Sequence, residues 1–250
     1  MSSELLKYAP AAAAAVGLAA LIIAYRDYRA YVALGSHGLP DNFWGWKKQL
    51  MMTLMARKDT TVAAPYDIEG VKENYGPNAT TSYFNTALEQ RPGSRPQIPG
   101  FVAPQRQVTA TASAKMKEQM FSYLKELTSE NSSTLQSELS VLEGPVPAVQ
   151  LKKGLDLPKY LEVTRGEMIH VHPADGSTHL ILSLEDSRSV IERGWGQRHR
   201  LSGRWLGWGY TLVYAPRNQD EFELWKNVTC AAARYCCAEI SEIRAPAVRQ

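Results

Sequence analysis

The chain has 250 residues, enough for one ordinary domain with appendages. A formal net charge of +3, with no basic block alternating with aromatics, argues against a nucleic-acid partner. The three cysteines, Cys230, Cys236 and Cys237, are odd in number and partly adjacent, so they imply no disulfide framework and packing is their ordinary use.

Ala9 to Tyr25 is uncharged and mostly apolar, and Arg26-Asp27-Tyr28-Arg29 closes it. As a helix this run extends about 26 Å, close to a hydrocarbon core of roughly 30 Å. Snorkelling of Lys7 and Arg26, with Tyr8 and Tyr25 at the interfaces, closes the gap. Glu4-Leu5-Leu6-Lys7 is a poor start for a cleaved signal, so residues 1–30 are expected to form an uncleaved transmembrane helix. Positive residues on the C-terminal flank and unpaired cysteines place the main domain in the cytosol, with the endoplasmic reticulum as the expected membrane. Sequons at Asn78, Asn131 and Asn227 argue for the opposite orientation.

Asn42 to Lys58 repeats apolar residues at helical spacing, through Phe43, Trp46, Leu50 and Leu54 with Met51 and Met55 alongside. A juxtamembrane amphipathic helix within residues 31–60, lying in the membrane interface or packed on the domain, is the expectation. Residues 61–110 are rich in Pro, Gly, Asn, Gln and Ser, punctuated by Tyr66, Tyr75, Tyr83, Phe84 and Phe101, and read as an extended linker packed on the domain.

A catalytic domain is expected over 111–250. Met116, Met120, Leu124 and Leu127 mark a helix face, and Ser133 to Leu142 reads as a strand closed by Glu143-Gly144-Pro145. Val163–His172 and Ser177–Leu184 read as strands joined at Asp175-Gly176. Glu185–Arg193 is a short helix stopped by Gly194, and Tyr210–Tyr214 is a strand. Asn218 and Glu221 cap a last helix running to about Ile240. These segments make an α+β fold, a small mainly antiparallel sheet with packed helices.

Four of the five histidines fall between His170 and His199. With Asp175 and Gly176 at the centre of a two-residue turn, His172 faces His179, and His170 shares their side of the sheet. Imidazoles on one patch suit proton transfer near neutral pH or metal ligation. Acid–base chemistry is favoured over a metal, because the run lacks the downstream glutamate of a cupin-like H-x-H site, any HExxH and any nearby cysteine. Gly194 to Gly203, GWGQRHRLSG, reads as a loop offering Trp195, Gln197, Arg198 and His199 to a ligand. Tyr214 and Arg217 sit at a strand end, where site residues gather; Arg217 is equally suited to a surface ion pair.

The HVH…STH hairpin, the ERGWGQRH loop, the VYAPRN turn and the upstream RDYRAYVALGSHGLPDNFWGWKK segment resemble, in order and spacing, the fungal luciferases and their luciferase-like relatives. The likeness is strongest from Glu167 to Glu221 and weaker over 60–160. The resemblance implies an oxygenase of a hydroxylated styryl-pyrone: O2 adds to the electron-rich ring, a peroxidic intermediate loses CO2, and an excited product emits light. It implies no organic cofactor, O2 being the co-substrate. His170, His172, His179 and His199 then form the acid–base set, and Arg198 holds the enolate or peroxide. Trp195 is a stacking wall, joined by Gln197, Tyr214 and Arg217 in binding substrate. Arg200-Leu201-Ser202 and the tryptophan-rich 203–210 depart from the luciferase pattern, which bears on substrate identity more than on catalysis.

The reading is therefore a membrane-anchored, luciferase-like oxygenase of an enolic polyketide, luminous or not. Its expected partners are a small-molecule substrate, a membrane and other enzymes of a biosynthetic pathway. Two readings stay open beside it: a non-redox cyclase, isomerase or decarboxylase of fungal specialised metabolism using the same histidines, and a non-catalytic lipid- or metabolite-binding module.

Overall fold

The long apolar run near the N-terminus forms one helix, α1 (Ser3–Val32), in a computed structural model that describes residues 3–35 and 38–247. From Tyr8 to Val32 it is long and apolar enough to cross a membrane, and none of its most apolar stretch is buried against the rest of the protein. The side chain of Lys7, and Ser36 and His37 of the upstream motif, lie outside the described residues. Helix α2 (Phe43–Thr53) starts where Asn42 Oδ1 accepts hydrogen bonds from the Trp44 and Gly45 amides at 3.0 and 3.2 Å. It folds back on α1, where Trp46 Nε1 donates to Asp27 Oδ2 at 2.7 Å. The helix ends at Thr53 rather than Lys58, and the Arg57 amide bonds Arg200 O at 2.8 Å instead.

A one-turn helix α3 (Ile68–Val71) interrupts the extended segment. After it come α4 (Ala114–Glu130), β1 (Leu135–Ser140), β2 (Gly144–Leu151), β3 (Glu167–Val171), β4 (Thr178–Ile181), α5 (Leu184–Glu192), β5 (Gly196–Arg198), β6 (Tyr210–Val213) and α6 (Gln219–Cys236). The six strands make one antiparallel sheet in the order β1-β2-β3-β4-β6-β5, so the fold is α+β as expected. Two strands were not anticipated. β2 carries Pro145 and Pro147, which lack a ladder donor, yet it pairs with β3 only through Ala148 to Gln150; the prolines therefore sit where one flank is free. β5 occupies the stretch read as a loop. Gly196 permits it, because a Cβ there would meet Leu212 O at 2.5 Å and Val190 Cγ1 at 2.8 Å.

The two faces of the sheet are covered differently. Side chains alternate along each strand, so Thr178, Leu180, Thr211 and Arg198 share one face, and His179, Leu212 and Gln197 share the other. Helices cover the first face. There Trp225 of α6 is buried and donates to Thr178 Oγ1 at 2.9 Å, and Ser187 of α5 bonds Thr211 Oγ1 at 2.8 Å. The three cysteines are buried on or just after α6. The extended segment reaches the second face, where Gln105 bonds His179 and the Gln107 amide bonds Asp175 Oδ2, and Phe101, Val102 and Arg106 of that segment are buried too.

Candidate active site

β3 and β4 bring the histidines together in a register different from the expected one. His170 pairs with His179, and the His172 amide bonds Ser177 O at 2.9 Å to close a four-residue connection, 173–176. Pro173 cannot donate to a two-residue hairpin, so the turn widens and only Gly176 takes a positive φ, +83°. The one-face prediction survives this shift, because His170 and His172 remain two residues apart and His179 lies opposite the first of them. Ring centroids are 5.3 Å apart for His170–His172, 5.2 Å for His170–His179 and 4.8 Å for His172–His179. His199, just beyond β5, adds a fourth ring 5.2 Å from His179. All four are buried.

Each ring has a definite partner on its outer side. His170 Nδ1 lies 2.5 Å from Glu167 Oε1, a carboxylate that also accepts from Ser140 Oγ and the Val141 amide. His172 Nδ1 lies 2.8 Å from Ser177 Oγ, whose only proton goes to Asp175 Oδ2. The serine must therefore accept from His172 Nδ1–H, which leaves Nε2 as the lone-pair nitrogen. His170 Nε2 and His172 Nε2 are buried with no hydrogen-bond partner among the described residues. His179 Nε2 meets Gln105 Oε1 at 3.3 Å, and the same amide donates from its nitrogen to Arg198 O, which fixes its orientation. His199 Nδ1 accepts from the Leu201 amide at 3.1 Å.

Burial sets the charge of the cluster. Loss of solvation pushes His172 and His179 well below the ordinary histidine range, reinforced by the neighbouring imidazoles and Arg106. The same cause lowers His199 to about 3. These rings are neutral at pH 7. Burial also raises Glu143, against the opposing pull of Arg106, with which it forms a buried ion pair.

Beside the cluster is a cavity of about 230 Å³, walled by His179, His199, Glu143, Gln105 and Tyr210 together with apolar residues such as Met52 and Leu201. His170 and His172 are not among its lining residues.

The other anticipated residues lie elsewhere. Arg198 is fully buried on the helix-covered face, one step out of phase with Gln197 and His199. It donates to Ser187 Oγ at 3.0 Å and to the Trp208 and Ala63 carbonyls, with Tyr66 and Trp208 rings nearby, and so serves packing. Trp195 donates to Glu89 O at 2.7 Å, and Tyr214 Oη bonds Gln197 Oε1 at 3.2 Å, both outside the cavity wall. Arg217 pairs with Glu221 through Nε at 2.7 Å, so the ion-pair reading of it holds. Sequence reading passed over Gln105, Arg106 and Glu143. The first two fall in an aperiodic segment and the third in an apparent strand stop, and no local pattern marks them.

Residues 165–232, which contain all four histidines of the cluster, match the family model described as Luciferase domain. The chain is similar to a luciferase of Neonothopanus nambi, 26% identical over 224 residues covering 84% of this chain and 80% of that protein. It is likewise similar to a luciferase of Armillaria gallica, 27% identical over 221 residues with 84% and 80% covered. No solved structure matches. The segment around the histidine cluster thus matches the luciferase domain model, and the chain is similar to the fungal luciferases over most of its length.

Proposed function

We propose that this protein is a membrane-tethered, luciferase-like oxygenase that combines O2 with an enolic, pyrone-type polyketide. The observation that carries the reading is the convergence of four buried imidazoles, two of them walling an apolar cavity, inside the segment that matches the luciferase domain. At about 230 Å³ the cavity is smaller than the roughly 300–1,000 Å³ typical of drug-sized ligands, and suits a small flat molecule. The enol proton passes to an acceptor on the wall, the neutral His179 imidazole or the Glu143 carboxylate. The resulting enolate supplies the electron pair of a new C–O bond to O2, which is reduced to the peroxide level; collapse of the peroxide expels CO2. General-base assistance of this kind contributes about 10²–10⁴-fold. Arg198 faces away from the cluster and is given no part in it; Arg106, paired with Glu143, is a cation beside the cluster.

The membrane enters through the cavity rim. Val163 and Trp205 are both wall residues and more than half exposed, at 58% and 51%. Phe43, Trp44 and Met51 of α2 and Leu54 just after it are exposed too, while Met52 of the same helix reaches the wall. With α1 as the anchor, α2 lies in the interface and the mouth opens at the lipid surface, where an apolar polyketide concentrates. Cationic residues after α1 keep the domain on the cytosolic side of the endoplasmic reticulum.

The test is turnover of a hydroxylated styryl-pyrone in air and under strict anaerobiosis. The oxygenase works only in air. Equal rates in both would transfer the histidines to a non-redox cyclase, isomerase or decarboxylase.

A further inference from the structure

We propose that His170, His172 and His179 bind a divalent first-row transition-metal ion, with Glu143 as the carboxylate beside it. One ring nitrogen of each histidine lies within 4.8 Å of those of the other two. Nitrogens around a tetrahedral ion at about 2.0–2.1 Å stand roughly 3.4 Å apart, so small rotations of the rings complete the site.

The outer hydrogen bonds prepare that arrangement. His170 Nδ1 is held by Glu167, and His172 Nδ1 by Ser177 backed by Asp175. Metal-ligating histidines are oriented in this way, the far N–H given to a carboxylate or its relay and the near lone pair turned inward. The near atoms, His170 Nε2 and His172 Nε2, are the ones left buried without a partner. Buried ring nitrogens ordinarily find a hydrogen bond, and two that lack one, packed beside a third imidazole, leave room for a cation between them.

Glu143 supplies what the linear H-x-H motif lacks. Its Oε1 stands 3.9 Å from His172 Nε2, arriving from the β1–β2 turn upstream rather than from downstream sequence. Imidazoles with a carboxylate suit zinc, iron, cobalt, nickel or copper. His199 stays outside this set, because its Nδ1 accepts from Leu201 and its ring also bonds the Val102 backbone. An ion on His179 leaves the Glu143 carboxylate as the proton acceptor on the cavity wall.

This proposal rests on the same site as the oxygenase reading but is tested separately. Full-length protein in detergent is stripped with EDTA, dialysed and titrated with Co2+, followed by visible d–d absorption and by metal content. One Co2+ per chain is expected, with d–d bands of nitrogen-rich coordination. His170→Ala, His172→Ala and His179→Ala each weaken binding at least tenfold. Glu167→Gln, which keeps the shape of the site, weakens it about 10–100-fold through His170; Lys153→Ala, on the surface, leaves it unchanged. Absence of stoichiometric Co2+ from the wild type, or equal binding by the triple alanine variant, overturns the proposal. Protein that binds no Co2+ yet consumes O2 removes the ion and leaves the oxygenase. Protein that binds Co2+ but consumes no O2 does the reverse.

Discussion

Glu143 and His172 meet at 3.9 Å although one belongs to the β1–β2 turn and the other to the end of β3. Ser140 makes the approach, because its hydroxyl accepts from the Leu142 and Glu143 amides and folds the turn towards the histidine face. Arg106 then closes on Glu143 from the extended segment. Removal of the carboxylate takes from Arg106 its buried counter-charge. Glu143→Ala is expected to lower unfolding free energy by about 3–5 kcal/mol in denaturant titration, and Glu143→Gln by less. A loss below about 1 kcal/mol for the alanine variant would deny the pair its structural role.

Arg198 and His179 lie on opposite faces of the sheet, so their substitutions separate. Arg198→Met abandons one buried and two half-buried acceptors and is expected to destabilise the fold by about 3 kcal/mol, while the folded fraction keeps its rate. His179→Ala is expected to cut kcat by about 10²–10⁴ with the fold retained. Circular dichroism alongside turnover distinguishes the two. A folded, inactive Arg198 variant would return the guanidinium to the chemistry.

Asp186 gives stability a pH dependence of its own. Burial raises its carboxyl to about 6, against bonds from Ser82 Oγ and the Tyr83 amide that favour the charged form. The folded state therefore holds this proton more tightly than the unfolded chain. The contribution is complete below about pH 4 and is lost as pH rises through 6, by up to about 3 kcal/mol. Asp186→Asn keeps an acceptor and abolishes the titration. Between pH 4.5 and 7 the wild type should lose stability relative to this variant; parallel curves would contradict the assignment.

The exposed side of α2 is expected to bind lipid. Replacement of Trp44, Met51 and Leu54 together by serine should leave folding unchanged, since all three are solvent-facing, and lower turnover of vesicle-dissolved substrate several-fold more than turnover of detergent-dissolved substrate. Equal effects in both media would argue against entry from the membrane.

Local signals made much of this legible. The Asn218 cap, the Met116–Leu127 stripe and the β3–β4 hairpin all follow from spacing and turn chemistry, and so does the shared face of the histidines. The register did not follow, because the missing N–H of Pro173 outweighs the preference of Asp-Gly for a tight turn. Arg198 was misplaced for a related reason. Its stretch is a strand, and strand alternation turns it away from His199, whereas a loop would have left both free to converge. Glu143 and Gln105 were invisible because their partners are distant in sequence, and a single chain carries no mark of such long-range pairing.

The most direct measurement is the stoichiometry of O2 consumed and CO2 released per hydroxylated styryl-pyrone, in wild type and in His179→Gln/His199→Gln. The account predicts one O2 and one CO2 per turnover in the wild type, and loss of both by at least 10²-fold in the double variant while it stays folded. Substrate conversion without O2 uptake, or a double variant that consumes O2 at the wild-type rate, would contradict it.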